Sequence, residues 1–129
     1  MNVLDQNIDP DEQILLEQWR IRVRQIGYGV GYSGMGDDEI IPLLHQMHRV
    51  TFFSRDEDFF KKYPCHANYC LVHLDVEMNE TAIFIRRFLR HPEFNTQAKR
   101  MGKVVRVSTE HIVILQLHVK EQRRLTWIK

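Results

Sequence analysis

Arg49-Val50-Thr51-Phe52-Phe53-Ser54-Arg55-Asp56-Glu57-Asp58-Phe59 is the stretch that decides the fold. It opens as a short apolar run rich in β-formers, the composition of a buried strand. It then turns abruptly into Ser54, Arg55, Asp56, Glu57 and Asp58. Charge that begins where a buried strand stops lies at the strand's carboxyl end, the edge where open α/β sheets place ligands and chemistry. The chain starts in the same way, with Asn2-Val3-Leu4 as a minimal strand and Asp5 after it. Two parallel strands delivering Asp5, Asp56 and Asp58 to one edge would make a carboxylate cluster. Such a cluster repels itself unless it takes up protons or a cation. The expectation is a divalent metal.

The chain of 129 residues is long enough to bury one apolar core, and 43% hydrophobic with 27% charged residues is ordinary for a globular protein. Against 18 Lys and Arg stand 17 Asp and Glu, a formal net charge of +1, so any basic surface must be local. Two cysteines, Cys65 and Cys70, give no disulfide framework and suggest a reduced, cytoplasmic setting. No apolar run approaches a membrane span, so no membrane association is expected. The acidic start, leading straight into a strand, does not read as a signal peptide.

Working outward, Asp9-Pro10-Asp11-Glu12 starts a helix: Asp9 caps, Pro10 suits the first position, and Glu12 sits three after the cap. Trp19 reads as a core anchor. Arg20 to Ile26 alternates and predicts a second strand. Five of the six glycines then fall between Gly27 and Gly36, which predicts a loop with unusual backbone angles. Asp37-Asp38-Glu39 opens the next helix, where acids usually complement the dipole. After the Val50–Phe53 strand come a short helix from Phe59, a fourth strand at Tyr69–Leu74, and a helix from Asn79 to Arg90. Glu93 to Met101 predicts a further turn closed by Gly102. Lys103–Val107, Ile112–Val119 and Leu125–Ile128 follow without helices between them, the pattern of an antiparallel hairpin or small meander. The expected architecture is α/β: a three-layer, mainly parallel sheet in the order 2-1-3-4, with a C-terminal antiparallel hairpin. The whole of 1–129 forms one domain, with 1–102 as the α/β core and 103–129 as the tail. Asp5 and Asp56 then face each other across the switch point.

Leu4-Asp5-Gln6-Asn7, Asp37-Asp38-Glu39-Ile40-Ile41 and Ser54-Arg55-Asp56-Glu57-Asp58-Phe59 resemble the three marker segments of the PIN-like nuclease superfamily. The nearest subgroup is that of small bacterial proteins with a Leu-Asp-Glu-Asn start and a Thr-Arg-Asp-x-Asp-Phe strand end. The resemblance implies a metal-dependent ribonuclease, often the toxin of a toxin–antitoxin pair, with RNA as substrate and an antitoxin protein as partner. Carried over by position, Asp5, Asp37, Asp56 and Asp58 form the catalytic and metal-binding set, with Asp38 in reserve if the helix register shifts by one. Gln6 stands where the subgroup has Glu, Ser54 where it has Thr, and Gly29 where an acid is common. The tail lies outside the resemblance.

The chemistry agrees with that implication. Mg²⁺ or Mn²⁺ prefers hard oxygen ligands, and carboxylates around one or two such ions suit phosphodiester hydrolysis. Asp5 and Asp56 are expected to contact the metal directly or through water, with Asp37 and Asp58 completing the shell or orienting the attacking water. Arg55, Lys61 and Lys62 are candidate phosphate contacts, and Gln6, Ser54 and Asp38 candidate supports. Arg86, Arg87 and Arg90 either track a nucleic acid or form a solvated helix face. Cys65, His66, Cys70 and His73 are zinc-type residues, but their spacing matches no familiar finger, and Cys70 and His73 point to opposite faces of a strand. The reading from a different class is a PIN-like interaction module whose catalysis is impaired by Gln6. A receiver-like phosphoacceptor fits less well, for want of a Lys after a late strand. Exposed β-edge in the tail makes a homodimer a further expectation.

Overall fold

A computed structural model describes residues 1–127. Its centre is β4 (Val50–Ser54), in which every residue is buried. On one side β4 pairs in parallel with β1 (Asn2–Leu4), and on the other with β5 (Tyr69–Asp75). Beyond β1 lie β2 (Arg24–Ile26) and β3 (Gly29–Val30), both parallel. Beyond β5 lie β6 (Lys103–Ser108), β7 (His111–Gln116) and β8 (Arg123–Thr126). The eight-stranded order is β3-β2-β1-β4-β5-β6-β7-β8.

This differs from the expected sheet of four strands with an appended hairpin. The glycine loop contributes a strand of its own, β3. The strand at Lys103–Ser108 is not hairpin but sheet interior: it pairs in parallel with β5, and antiparallel pairing starts only between β6 and β7. The cause is the helical crossover from β5, which returns the chain to the same end of the sheet, as parallel neighbours require. The last expected strand is found at Arg123–Thr126, with Ile128 outside the described residues.

Helices cover both faces. On one face α1 (Pro10–Gln18) and α4 (Thr81–Arg90) bury Leu16, Ala82, Ile85 and Phe88 against Leu4, Phe53, Val72 and Val105. On the other, α2 (Asp37–Met47) and α3 (Asp58–Lys61) bury Ile40, Leu44 and Phe59 against Val3, Phe52, Leu71 and Val104. A short α5 (Gln97–Arg100), capped by Thr96, precedes β6. Trp19 packs on the first core, with the Arg86 guanidinium 3.8 Å from its ring centroid.

The second strand is shorter than the alternation from Arg20 predicted, because α1 ends by folding back. Arg20 takes a left-handed φ of 62°. Its N–H donates to Glu17 O, and Ile21 N–H donates to Leu16 O, both at 2.9 Å. That pair of bonds closes a Schellman cap, with Ile21 tucked against the core beside Leu16.

Candidate metal centre

The two faces alternate along each strand, so the register fixes which side chains share a face. Val3 aligns with Phe52, Phe52 with Leu71, and Leu71 with Val104. Two residues on, at the carboxyl ends, stand Asp5, Ser54, His73 and Arg106. A polar row thus crosses four adjacent parallel strands on the face covered by α2 and α3.

Asp5 is 7% exposed and heavily bonded. Its Oδ1 accepts from Gln6 N–H at 2.7 Å, and its Oδ2 from the Ser54 hydroxyl at 2.7 Å and from Asn7 Nδ2 at 3.4 Å. Burial pushes its pKa up, the Ser54 and Gln6 bonds pull it back, and Asp56 pushes it up again. Ser54 Oγ in turn accepts from Asp56 N–H at 3.0 Å, and Asp56 Oδ1 accepts from Asp58 N–H at 3.0 Å. Each bond shapes the turn that carries the next acid.

The third acid comes from α2. Glu39 accepts from Gly36 N–H and caps the helix, while Asp37, in its first turn, faces the strand ends. Asp37, Asp56 and Asp58 are half-buried and offer carboxylate oxygens that all lie within 4.8 Å of one another. The Asp37 pKa is raised, first by burial and then by Asp56, Asp5 and Asp58, with Lys62 opposing. Tyr63 borders the group: burial, then Asp37 and Asp58, raise its pKa. Three clustered hard oxygen donors, so close that their like charges repel, can hold a divalent cation.

The expected residues therefore divide. Asp37, Asp56 and Asp58 converge. Asp5 lies behind them, close enough to act on Asp37 and Asp56, with its oxygens taken up by protein donors. Asp38 is exposed. Gln6 accepts from Gly34 N–H at 2.6 Å and pins the glycine loop to β1. Within that loop Gly31 takes a left-handed φ of 59°, which favours glycine, and a Cβ there would press on the Met35 thioether.

The expected phosphate contacts fare differently. Arg55 donates to Val76 O at 3.0 Å, and its Nε is buried without a partner among the described residues. Lys61 pairs with Glu57 at 3.0 Å on the surface. Lys62 remains exposed near Asp37. Of the zinc-type residues, Cys70 is buried in the core of one face, its thiol pKa pushed up to about 12 by burial, while His73 lies on the opposite face. Asn7, Tyr63, His73 and Arg106 were not singled out for this centre in the sequence. The signal for His73 is its phase on β5 beside Ser54, that for Arg106 needs β6 to be known as parallel to β5, and Asn7 and Tyr63, which lie off the strands, carry no such signal.

No family model matches the chain, and neither a curated protein nor a solved structure does. Among the described residues no helix is long and apolar enough to cross a membrane. The fold and the site define an α/β domain with an acidic cluster at the carboxyl edge of a mostly parallel sheet.

Proposed function

We propose that the protein is a metal-dependent ribonuclease of PIN-like type, hydrolysing phosphodiester bonds in RNA with Mg²⁺ or Mn²⁺. The observation that carries this reading is the convergence of Asp37, Asp56 and Asp58 beside buried Asp5. Carboxylates alone, without Cys or His, match hard octahedral ions rather than zinc. Asp37, Asp56 and Asp58 would hold the ion. Once bound, it supplies positive charge to the phosphate and acidifies a water at neutral pH. Asp5 fixes Ser54, and through it the Asp56 turn. Gln6 holds the glycine loop, whose far end enters α2 just before Asp37. In this reading the enzyme is the toxin of a toxin–antitoxin pair.

The test is cleavage of single-stranded RNA by purified protein in EDTA, Mg²⁺ and Mn²⁺, for wild type and Asp56→Asn. Cleavage that needs metal and is lost in the variant supports the reading. Equal cleavage by both proteins, or none by either, refutes it. A second reading, an interaction module that does not cleave, draws on Gln6: its oxygen is taken by Gly34 N–H, so β1 adds no second charge after Asp5. Metal binding to wild type without any RNA cleavage would favour it.

A further inference from the structure

We infer that Arg106 is the cation that receives the RNA backbone, at a phosphate flanking the one at the carboxylates. The inference rests on the nuclease reading for its substrate. Its support is the contrast with five arginines whose guanidinium groups are already engaged elsewhere. Arg100 is buried, donating to Thr51 Oγ1 and Phe94 O. Arg123 pairs with Glu93 at 2.8 Å. Arg55 is committed to Val76 O. Arg86 and Arg87 lie on the α4 face, stacked over Trp19 and Trp127 at 3.8 and 4.4 Å from the ring centroids.

Arg106 is held in another way. It stands in register with His73, itself in register with Ser54, on the face that carries the acids. Its Nε donates to His73 Nδ1 at 3.4 Å, and its guanidinium carbon lies 4.4 Å from the Phe60 ring centroid. An imidazole nitrogen that accepts adds no negative charge, and neither does a phenyl face. Glu57, already paired with Lys61, is the nearby carboxylate that feels the Arg106 charge, but it makes no ion pair with it. The guanidinium is thus oriented without a carboxylate bound to it, and no hydrogen bond engages its two terminal nitrogens among the described residues. A fork of that kind matches two oxygens of a phosphate. Phe60 belongs to α3, which begins with Asp58, so the same short helix seats the cation and supplies an acid. Two strand spacings, about 10 Å, separate the Ser54 and Arg106 backbones. That offset puts the guanidinium beside the acidic cluster rather than in it, which is why the contact falls on a flanking phosphate.

A contact away from the reacting group is made equally in the ground and transition states, so its loss raises KM and leaves kcat. The experiment compares wild type, Arg106→Met, Arg106→Lys and the control Arg86→Met. Binding of a fluorescent single-stranded RNA is measured in EDTA across salt concentrations, and cleavage kinetics are measured in Mn²⁺. Arg106→Met keeps an apolar stem on Phe60, so its melting temperature checks folding; should it fail to fold, Arg106→Gln serves instead. The expected result is RNA affinity about tenfold weaker in Arg106→Met, with a salt slope shallower by about 0.7, one phosphate contact on a single strand. KM rises by the same factor at unchanged kcat. Arg106→Lys keeps the slope of wild type and loses part of the affinity, and Arg86→Met matches wild type. An Arg106→Met protein that binds RNA with wild-type affinity and slope overturns the assignment, even where wild type cleaves and the nuclease reading stands. If wild type binds RNA through Arg106 but cleaves nothing with metal, the catalytic reading fails and the contact survives. No RNA binding by wild type overturns the contact.

Discussion

Asp56→Asn moves stability in opposite directions with and without metal. In the metal-free protein Asp56 raises the pKa of Asp5 and of Asp37, in both cases behind burial. Oxygens of Asp37, Asp56 and Asp58 come within 4.8 Å of one another. Two like charges at that separation cost about 1 kcal/mol in a water-like dielectric, the fitting limit for half-exposed groups, and less in salt. Asn keeps an oxygen for the Asp58 N–H, so the turn is retained. Relief of one repulsion therefore raises the metal-free melting temperature by about 3–4 °C for a domain of this size. In wild type, a cation at ten times its Kd adds about 1.4 kcal/mol, a rise of about 4–5 °C, which the variant loses. The sign with pH follows from linkage. An acid whose folded pKa is raised binds more protons folded than unfolded, so its contribution to stability falls as pH climbs from 3.8 through the folded value. The penalty is complete above that value. The advantage of Asp56→Asn without metal should thus be full at neutral pH and close as pH falls toward about 4. Thermal melts of both proteins in EDTA, MgCl₂ and MnCl₂, from pH 4 to 8, measure all of this. A metal-free variant that melts below wild type at pH 7, or equal metal shifts in both proteins, would refute the reasoning.

Ser54→Ala removes the hydroxyl that donates to Asp5 and accepts from Asp56 N–H. It should cost about 1–3 kcal/mol in a urea titration and raise the Asp5 pKa further, by loss of a bond that lowers it. Glu12, 6% exposed, accepts from Ala82 N–H at 3.0 Å and so caps α4, which has no side-chain cap of its own. Glu12→Ala should lower the urea midpoint by a similar amount, about 1–3 kcal/mol, with Glu12→Gln recovering much of it. Cys70, its thiol pushed up to about 12, should resist a thiol reagent at pH 8 in the native protein and react on unfolding.

What was legible in the sequence was the part governed by local rules. Val50–Ser54 joins Val50, Phe52 and Phe53 to the β-former Thr51, the composition of a strand buried on both faces. Asp9-Pro10 marks the start of α1 because a cap and a fixed φ act within a few residues. Asp5, Asp56 and Asp58 were legible as a group through their positions after strands, whereas Asp37, at a helix start where acids usually cap, joined them only through the resemblance in its segment. The end of α1 was hidden, since Arg20 fills a left-handed position that glycine normally advertises. The place of Lys103–Ser108 was hidden for a different reason. Its alternation is the same whether it pairs in parallel or in a hairpin, and the choice is made by the crossover through α4 and α5. Arg106 depended on that choice, so it stayed out of view as a member of the site.

Asp5 was expected to contact the metal beside Asp56, but the four acids divide otherwise, and burial separates Asp5 from the other three. Asp5 lies beneath the cluster, where an ionised carboxylate persists only with donors around it. It has three, from Gln6, Asn7 and Ser54, and the last leads outward. Ser54 takes the Asp56 N–H, and Asp56 takes the Asp58 N–H, so one buried charge orders the turn that presents two of the clustered acids. Asn7 closes the arrangement by accepting from Arg55 N–H at 3.2 Å while donating to Ser54 Oγ. Gln6 acts on the other side: by holding Gly34 it fixes the approach to α2, and with it Asp37. Glutamine suits that task better than glutamate, because a further anion beside Asp5 would raise the same repulsion that the cluster already carries. The substitution that looked like a lost ligand is, in this fold, a tether between the two chain segments that bring the three acids together.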